Sequence, residues 1–468
     1  MDQQRSDSTS PTTDAEGLQT SLNTVDMRRI LASSFIGSAI EFYDFMLYAT
    51  ASSIVFSTLY FADLGPGLSL LASFATLAAG YLARPLGGVL FGHFGDRVGR
   101  KKALVVSMLM MGGVTVVIGL MPPTAQIGAI APISLLLLRI VQGIAVGGEW
   151  GGAALMALEH APKRHRGFAA AFANAGGPAG AVLATLVLSL MTVLSGDQFA
   201  VWGWRIPFVL SAALIVVGLV IRLRVAETPA FQALEAKGQE RRMPIVTVLR
   251  HHLAPVAIAL LVTLSVYTTQ SIVTVWGVSV AVAAGEDQTA VLNWKAAAAV
   301  LTIVVTFAAA RVSDRIGRRR ALLIGTTATA VAAFPLAMLV GTGELTQYAI
   351  AIVVGNGIVQ ALVYGPIAAY VAELFPPAVR YTGASLGYQA ASALGAGLTP
   401  MIVSAFMLLP TGGLWWIGAY WAFFAIAGAC AVVLYRPASQ AGASSDRDTG
   451  AHASRTSASS AAVSEPAR

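Results

Sequence analysis

The chain has 468 residues, of which 56% are hydrophobic and only 11% charged, against roughly 45–50% apolar and about 25% charged in an average soluble domain. That composition excludes a soluble enzyme and leaves room for about twelve membrane-crossing helices joined by short turns. The net charge of +7, from 30 Lys and Arg against 23 Asp and Glu, invites a polyanionic partner only if the charges are gathered for one.

In chain order, residues 1–27 are polar and rich in Ser, Thr and Asp, the opposite of a cleavable signal peptide, and are expected to form a disordered cytoplasmic tail. Twelve apolar runs follow, near 28–57, 67–93, 102–121, 128–157, 167–194, 203–222, 252–282, 293–311, 321–341, 346–373, 382–409 and 413–435. They are too continuous for a membrane barrel, so helices are the only form open to them. The expected fold is an all-α membrane protein with twelve transmembrane helices in two six-helix bundles, 28–222 and 251–436. A polar cytoplasmic linker, 223–250, separates the bundles. Residues 437–468 are rich in Ser and Ala, carry no apolar heptad, and are expected to be a disordered cytoplasmic tail.

The basic residues set the orientation. Arg28 and Arg29, Arg97 and Arg100 to Lys102, Lys163 to Arg166, the 222–250 segment, Arg311 to Arg320 and Arg380 all fall on one side. The opposite loops hold only Lys295 against Asp63, Asp197, Glu286, Asp287 and Glu344. Short loops keep Lys and Arg on the cytoplasmic side, so both termini are expected in the cytoplasm, with the chain multi-pass in the cell's inner (plasma) membrane. The positive excess is then an orientation signal, and no nucleic-acid partner is expected. A single cysteine, Cys430, leaves no internal disulfide, and the six histidines lack ligand spacing, so no metal or other cofactor is expected. No nucleophile–base pair points to a membrane enzyme.

An internal repeat supports the division into halves. Asp96-Arg97-Val98-Gly99-Arg100-Lys101-Lys102 after the second span returns as Asp314-Arg315-Ile316-Gly317-Arg318-Arg319-Arg320 after the eighth, at an offset of 218. Glu159, Pro162 and Arg166 match Glu373, Pro376 and Arg380 at an offset of 214. Duplicated halves of this kind place a substrate site between them near the bilayer midplane.

GHFGDRVGRKK at 92–102 resembles the loop signature of the major facilitator superfamily. GSAIEFYDFMLY at 37–48, RPLGG at 84–88, RIVQGIAVGGEWGGA at 139–153, WGWRIPF at 202–208 and RVAETPAF at 224–231 together look like its metabolite:proton symporter branch, which includes carriers of shikimate, α-ketoglutarate, citrate, proline and betaine. The resemblance covers about residues 28–436. It implies alternating access powered by a proton gradient, with no resident cofactor, in a monomer whose partners are a small organic acid or zwitterion, protons and the lipid bilayer.

Six charges fall inside the predicted spans: Glu41, Asp44, Arg84, Arg139, Glu149 and Arg205. They sum to zero and lie in the first half. An ionisable group at this depth costs roughly 2.5–3.5 kcal/mol, so each is a functional candidate. Glu41, Asp44 and Tyr48 share one helical face, and a buried acid with a movable cationic partner can load and release a proton. Glu41, Asp44 and Glu149 are therefore the candidates for proton coupling, against a reading as structural ion pairs.

For an anionic substrate the candidates are Arg84 and Arg205, whose guanidinium can grip a carboxylate through two bonds. Carriers similar to this chain use arginines in the matching motifs for substrate contact, whereas a structural cap at the outer interface is the competing role for Arg205. Tyr48, Gln142, Tyr267, Gln270, Gln360 and Tyr364 complete the expected substrate-binding set. Gly143, Gly147 and Gly151 read as a packing seam. Asp96, Arg97 and Arg100 with their mirrors Asp314, Arg315 and Arg318 are expected to form a cytoplasmic gate. The second copy should latch more loosely, because Ala310 and Ser313 replace Gly92 and Gly95. The resulting expectation is a proton symporter importing a small organic acid, shikimate-like or a dicarboxylate. A proline/betaine-type zwitterion symporter is the alternative, and export of drugs or metabolites, prompted by Gly176-Gly177-Pro178-Ala179-Gly180, comes third.

Overall fold

A backbone in hydrocarbon must satisfy its own N–H and C=O groups, and the apolar runs do so as helices. The computed structural model describes residues 12–98, 100–147, 158, 161, 163–224, 244–376, 379–410 and 413–435. Of 12–30, 33, 89, 92–104, 163, 221–224, 244 and 381 it describes the backbone alone. Among the described residues there are twelve long helices and no strand. The first half contains α1 (Thr12–Ile54), α2 (Pro66–Val98), α3 (Arg100–Leu120), α4 (Ile130–Val146), α5 (Arg166–Ser195) and α6 (Arg205–Arg224). The second contains α7 (Leu253–Ala283), α8 (Gln288–Ile316), α9 (Arg318–Gly341), α10 (Leu345–Glu373), α11 (Thr382–Met407) and α12 (Gly413–Leu434).

Eight of these are long and apolar enough to cross a membrane, and α3, α4 and α6 carry shorter apolar stretches. The remaining helix, α1, is made more polar by Glu41 and Asp44. It also begins earlier than expected. The backbone of 12–27 continues the first span as helix, where composition led to the expectation of a disordered tail. No proline interrupts it, and Asp14 and Glu16 suit the positive end of a helix dipole. The linker residues 225–243 and the tail beyond Tyr435 lie outside the described residues.

The two halves repeat one packing scheme. In the first, α1 packs on α5, α2 on α4 and α3 on α6; in the second, α7 packs on α11, α8 on α10 and α9 on α12. Between halves α5 lies against α8 and α10, and α2 against α11. Gly143 and Gly147 of the expected glycine seam join α4 to α2, and Gly151 lies outside the described residues. A Cβ on Gly143 would strike the carbonyl of Gly80, one on Gly147 that of Arg84, and one on Gly87 that of Ile144. Only the absent side chains let these backbones meet. Gly176 and Gly180 do the same for α5 against the backbone of α1, so the glycines around Pro178 serve helix packing.

Outward-facing apolar side chains such as Leu190, Val193 and Leu194 of α5, Val331 of α9 and Phe423 of α12 are exposed, as a lipid-facing surface requires. In the second half α7, α10 and α11 are each opened by a π-helical stretch, at Ile272–Trp276, Val353–Gln360 and Ser392–Leu398. Such stretches loosen the regular i to i−4 ladder and recur beside functional sites.

Candidate functional site

A cavity lies between the halves. The first half supplies Phe42 and Met46 from α1 and Gly177, Pro178 and Ala181 from α5. The second supplies Gln270 and Thr274 from α7, Lys295, Ala299 and Thr302 from α8, and Asn356, Gln360 and Tyr364 from α10. Of the expected substrate residues, Gln270, Gln360 and Tyr364 are therefore on its wall. Asn356 donates to Gln360 within the π-helical stretch of α10. The Thr302 hydroxyl lies 3.1 Å from the Asn356 carbonyl and 3.2 Å from its Oδ1.

Lys295 corrects the sequence reading, which placed it in an outer loop and confined the buried charges to the first half. Asp287 accepts from the Ala290 N–H at 2.8 Å and caps a helix that starts at Gln288, which carries Lys295 two turns into α8. It is 2% exposed, and its Nζ donates to Thr50 Oγ1 of α1 at 2.5 Å. The cue was the Asp-Gln-Thr sequence at 287–289, an N-cap signal.

A second cluster fills the interior of the first half. Ser211 donates to the Asp44 carboxylate at 2.6 Å, and the Thr115 hydroxyl also lies within hydrogen-bonding reach of it. Gln142 donates to Thr115 at 2.7 Å and accepts from Arg139 at 2.5 Å. Asp44 and Arg139, both buried, thus communicate through two neutral side chains without touching. The Arg139 guanidinium lies 4.1 Å from the centre of the Tyr48 ring and 4.2 Å from that of Phe45, and Tyr48 bonds Thr76 at 2.7 Å. Tyr48 and Gln142 therefore belong to this relay and do not line the cavity. Glu41 is buried, within electrostatic reach of the Tyr364 hydroxyl. Glu149 lies outside the described residues.

Arg84 stands at the boundary between the halves. Its guanidinium is stacked on Phe45 at 3.9 Å and Tyr81 at 4.3 Å and donates to Ser392 of α11 at 3.0 Å. The Tyr388 hydroxyl lies within reach of those of Tyr267 and Tyr364, so Tyr267 joins a tyrosine cluster beside the cavity wall. Tyr388 escaped the sequence reading. Arg205 is not among the residues lining the cavity. It donates to the carbonyls of Gly119 at 3.0 Å and Met121 at 2.7 Å, holding the C-terminal end of α3, which a cation stabilises.

On the face that carries the termini, Asp314 accepts the backbone N–H groups of Gly167 at 3.1 Å and Phe168 at 3.0 Å, at the start of α5. Arg318 donates to Asp314 at 2.7 Å, to Ser313 at 3.0 Å and to Glu373 at 3.3 Å. The second copy of the repeat is therefore a well-made latch. Ser313, standing where the first copy has a glycine, supplies one of its acceptors. Arg315 is exposed and takes no part in these bonds. The side chains of Asp96, Arg97 and Arg100 lie outside the described residues. On the opposite face Ser189 donates to Asn293 and Gln288 to Thr192, each at 2.8 Å, so α5 and α8 are tied on both sides of the cavity.

This is the arrangement of a carrier with a central cargo site between two repeated bundles. A sequence profile of the Major Facilitator Superfamily matches residues 34–400 and, overlapping, 291–467, and the chain belongs to that superfamily. It is a transporter, not an enzyme. It is 40% identical over 425 residues to the inner membrane metabolite transport protein YhjE of Escherichia coli, covering 89% of this chain and 95% of that one. It is 36% identical to the E. coli shikimate transporter over 81% of this chain and 87% of that one. With the ectoine/proline transporter ProP of Corynebacterium glutamicum it shares 32% identity over 82% and 79%. In fold it resembles the proton:xylose symporter XylE bound to 6-bromo-6-deoxy-D-glucose, with a TM-score of 0.68 at 18% identity, covering 88% of this chain and 94% of that one.

Proposed function

We propose that the protein imports a small organic acid together with a proton, by alternating exposure of the central cavity. The relay from Asp44 through Thr115 and Gln142 to Arg139 carries the reading. A buried carboxyl that is held by neutral donors and has its cation two side chains away can exchange a proton when the helices shift. The termini face the cytoplasm, following the basic loops. The cavity's polar wall, the stacked Arg84 and the likeness to the shikimate transporter support a hydroxylated acid as cargo. A zwitterion is the second reading, favoured by the ectoine/proline relative and by Phe42 and Tyr364 on the cavity wall, whose rings can face a cation.

The test uses the purified chain in liposomes. An inward acid gradient should drive accumulation of labelled shikimate, and Asp44→Asn should abolish that accumulation while preserving shikimate exchange between equal pools. Unchanged pH dependence in Asp44→Asn would remove the proton assignment. Outward pumping of dyes without uptake of any acid or betaine would replace import with export.

A further inference from the structure

Membrane interiors rarely keep a lysine without use, and Lys295 has little to occupy it. Its ammonium offers three N–H donors, of which one goes to Thr50. Both ion pairs found among the described residues belong to Arg318. Among the described residues lining the cavity Lys295 is the only charged one, and the other polar ones, Gln270, Thr274, Thr302, Asn356, Gln360 and Tyr364, are neutral. Arg84 is stacked between rings and bonded to Ser392 outside that wall.

We propose that Lys295 receives the carboxylate of a singly charged, hydroxyl-bearing cargo, releasing Thr50 as it does so, and thereby selects monocarboxylates. This rests on the reading of the protein as an organic-acid carrier. One cation balances one carboxylate, and the surrounding amides and hydroxyls match hydroxyl groups. A dicarboxylate would bury an uncompensated negative charge, and a zwitterion would set its ammonium against a wall without a carboxylate. Both are costly in a dry site. A carboxylate brings a full opposite charge to an ammonium that otherwise holds a neutral hydroxyl, and at low dielectric that attraction exceeds the bond to Thr50, so cargo outcompetes the Thr50 hydroxyl. Because Thr50 lies on α1 and Lys295 on α8, that exchange removes a tie between the halves as the cargo arrives.

Uptake of labelled shikimate into liposomes, with competition by its methyl ester, α-ketoglutarate and glycine betaine, tests the assignment. In the wild type none of the three should compete strongly. Lys295→Gln should raise the shikimate KM by ~30-fold or more, the usual minimum for stripping the partner from a buried charge, and should turn the preference toward the neutral ester. Lys295→Arg should stay within about tenfold of wild type. Thr50→Val, which leaves the lysine without a competitor, should lower the KM. Stabilisation of Lys295→Gln by the ester in thermal unfolding checks that it is folded. If that variant does not fold, Lys295→Arg and Thr50→Val decide, and an unchanged KM in Thr50→Val overturns the exchange. Shikimate uptake by the wild type with an indifferent Lys295→Gln would sink this proposal alone. Accumulation of betaine but no acid would sink the organic-acid reading beneath it.

Discussion

Two buried arginines and one buried lysine show how differently a cation can be employed at similar depth. Arg139 is dressed by Gln142 and by the faces of Tyr48 and Phe45, a setting that holds the guanidinium in one place. Arg84 bridges the halves through Ser392, so its loss should disturb their alignment as well as the cargo. Arg205 ties down the end of α3. Arg205→Ala should destabilise the protein by about 1.5–3 kcal/mol, the range for hydrogen bonds to a charged group, while leaving the shikimate KM within about twofold. Thermal unfolding and uptake kinetics on one preparation would separate the two, and a large KM change with intact stability would return Arg205 to the binding site. Gln270, Gln360 and Tyr364 were legible from sequence because a polar side chain in an apolar helix stands out. Lys295 was not, because its significance depends on where α8 begins, and an N-cap moves that boundary by more than a turn.

At the scale of the helix, the pairing of α2 with α4 is the most constrained part of the first half. Gly147→Ala would set a methyl group against the Arg84 carbonyl, and forcing such backbones apart typically costs 1–3 kcal/mol. Because the displaced turn carries Arg84, the same variant should also weaken cargo affinity, whereas Gly113→Ala on α3, where the added methyl meets nothing within 4 Å, should do neither. Melting temperatures of both would check this, and equal behaviour would refute it. The glycine periodicity made this seam readable from sequence. The π-helical stretches of α7, α10 and α11 were not readable, because no residue type marks a widened turn. They matter because Asn356 and Gln360 fall inside one of them, so simple helical spacing does not describe their mutual geometry.

Across the whole molecule, one twelve-helix plan with an internal repeat was visible in hydropathy and in the two loop signatures, since both follow directly from bilayer thickness and charge retention. The strength of the latch was not, because it depends on Asp314 reaching the free N–H groups of a helix in the other half. Asp314→Asn should weaken this tie by about 1.5–3 kcal/mol and shift the protein toward states open on the termini-bearing face. In a Cys430→Ser background, a cysteine in place of Ala181 on the cavity wall should then react with an impermeant maleimide at least ~10-fold faster from that face. No change in labelling would show that closure there does not rest on Asp314.

The solitary charge of Lys295 also has an electrical meaning. In the proposed symport a monoanion on Lys295 arrives with one proton on Asp44, so loading adds one negative and one positive charge. The empty carrier swings back with Lys295 set against an ionised Asp44, and neither stroke moves a net elementary charge, which would be worth ~2.3 kcal/mol per 100 mV. Voltage should therefore leave both net uptake and one-for-one exchange almost untouched, so that the pH gradient alone drives accumulation.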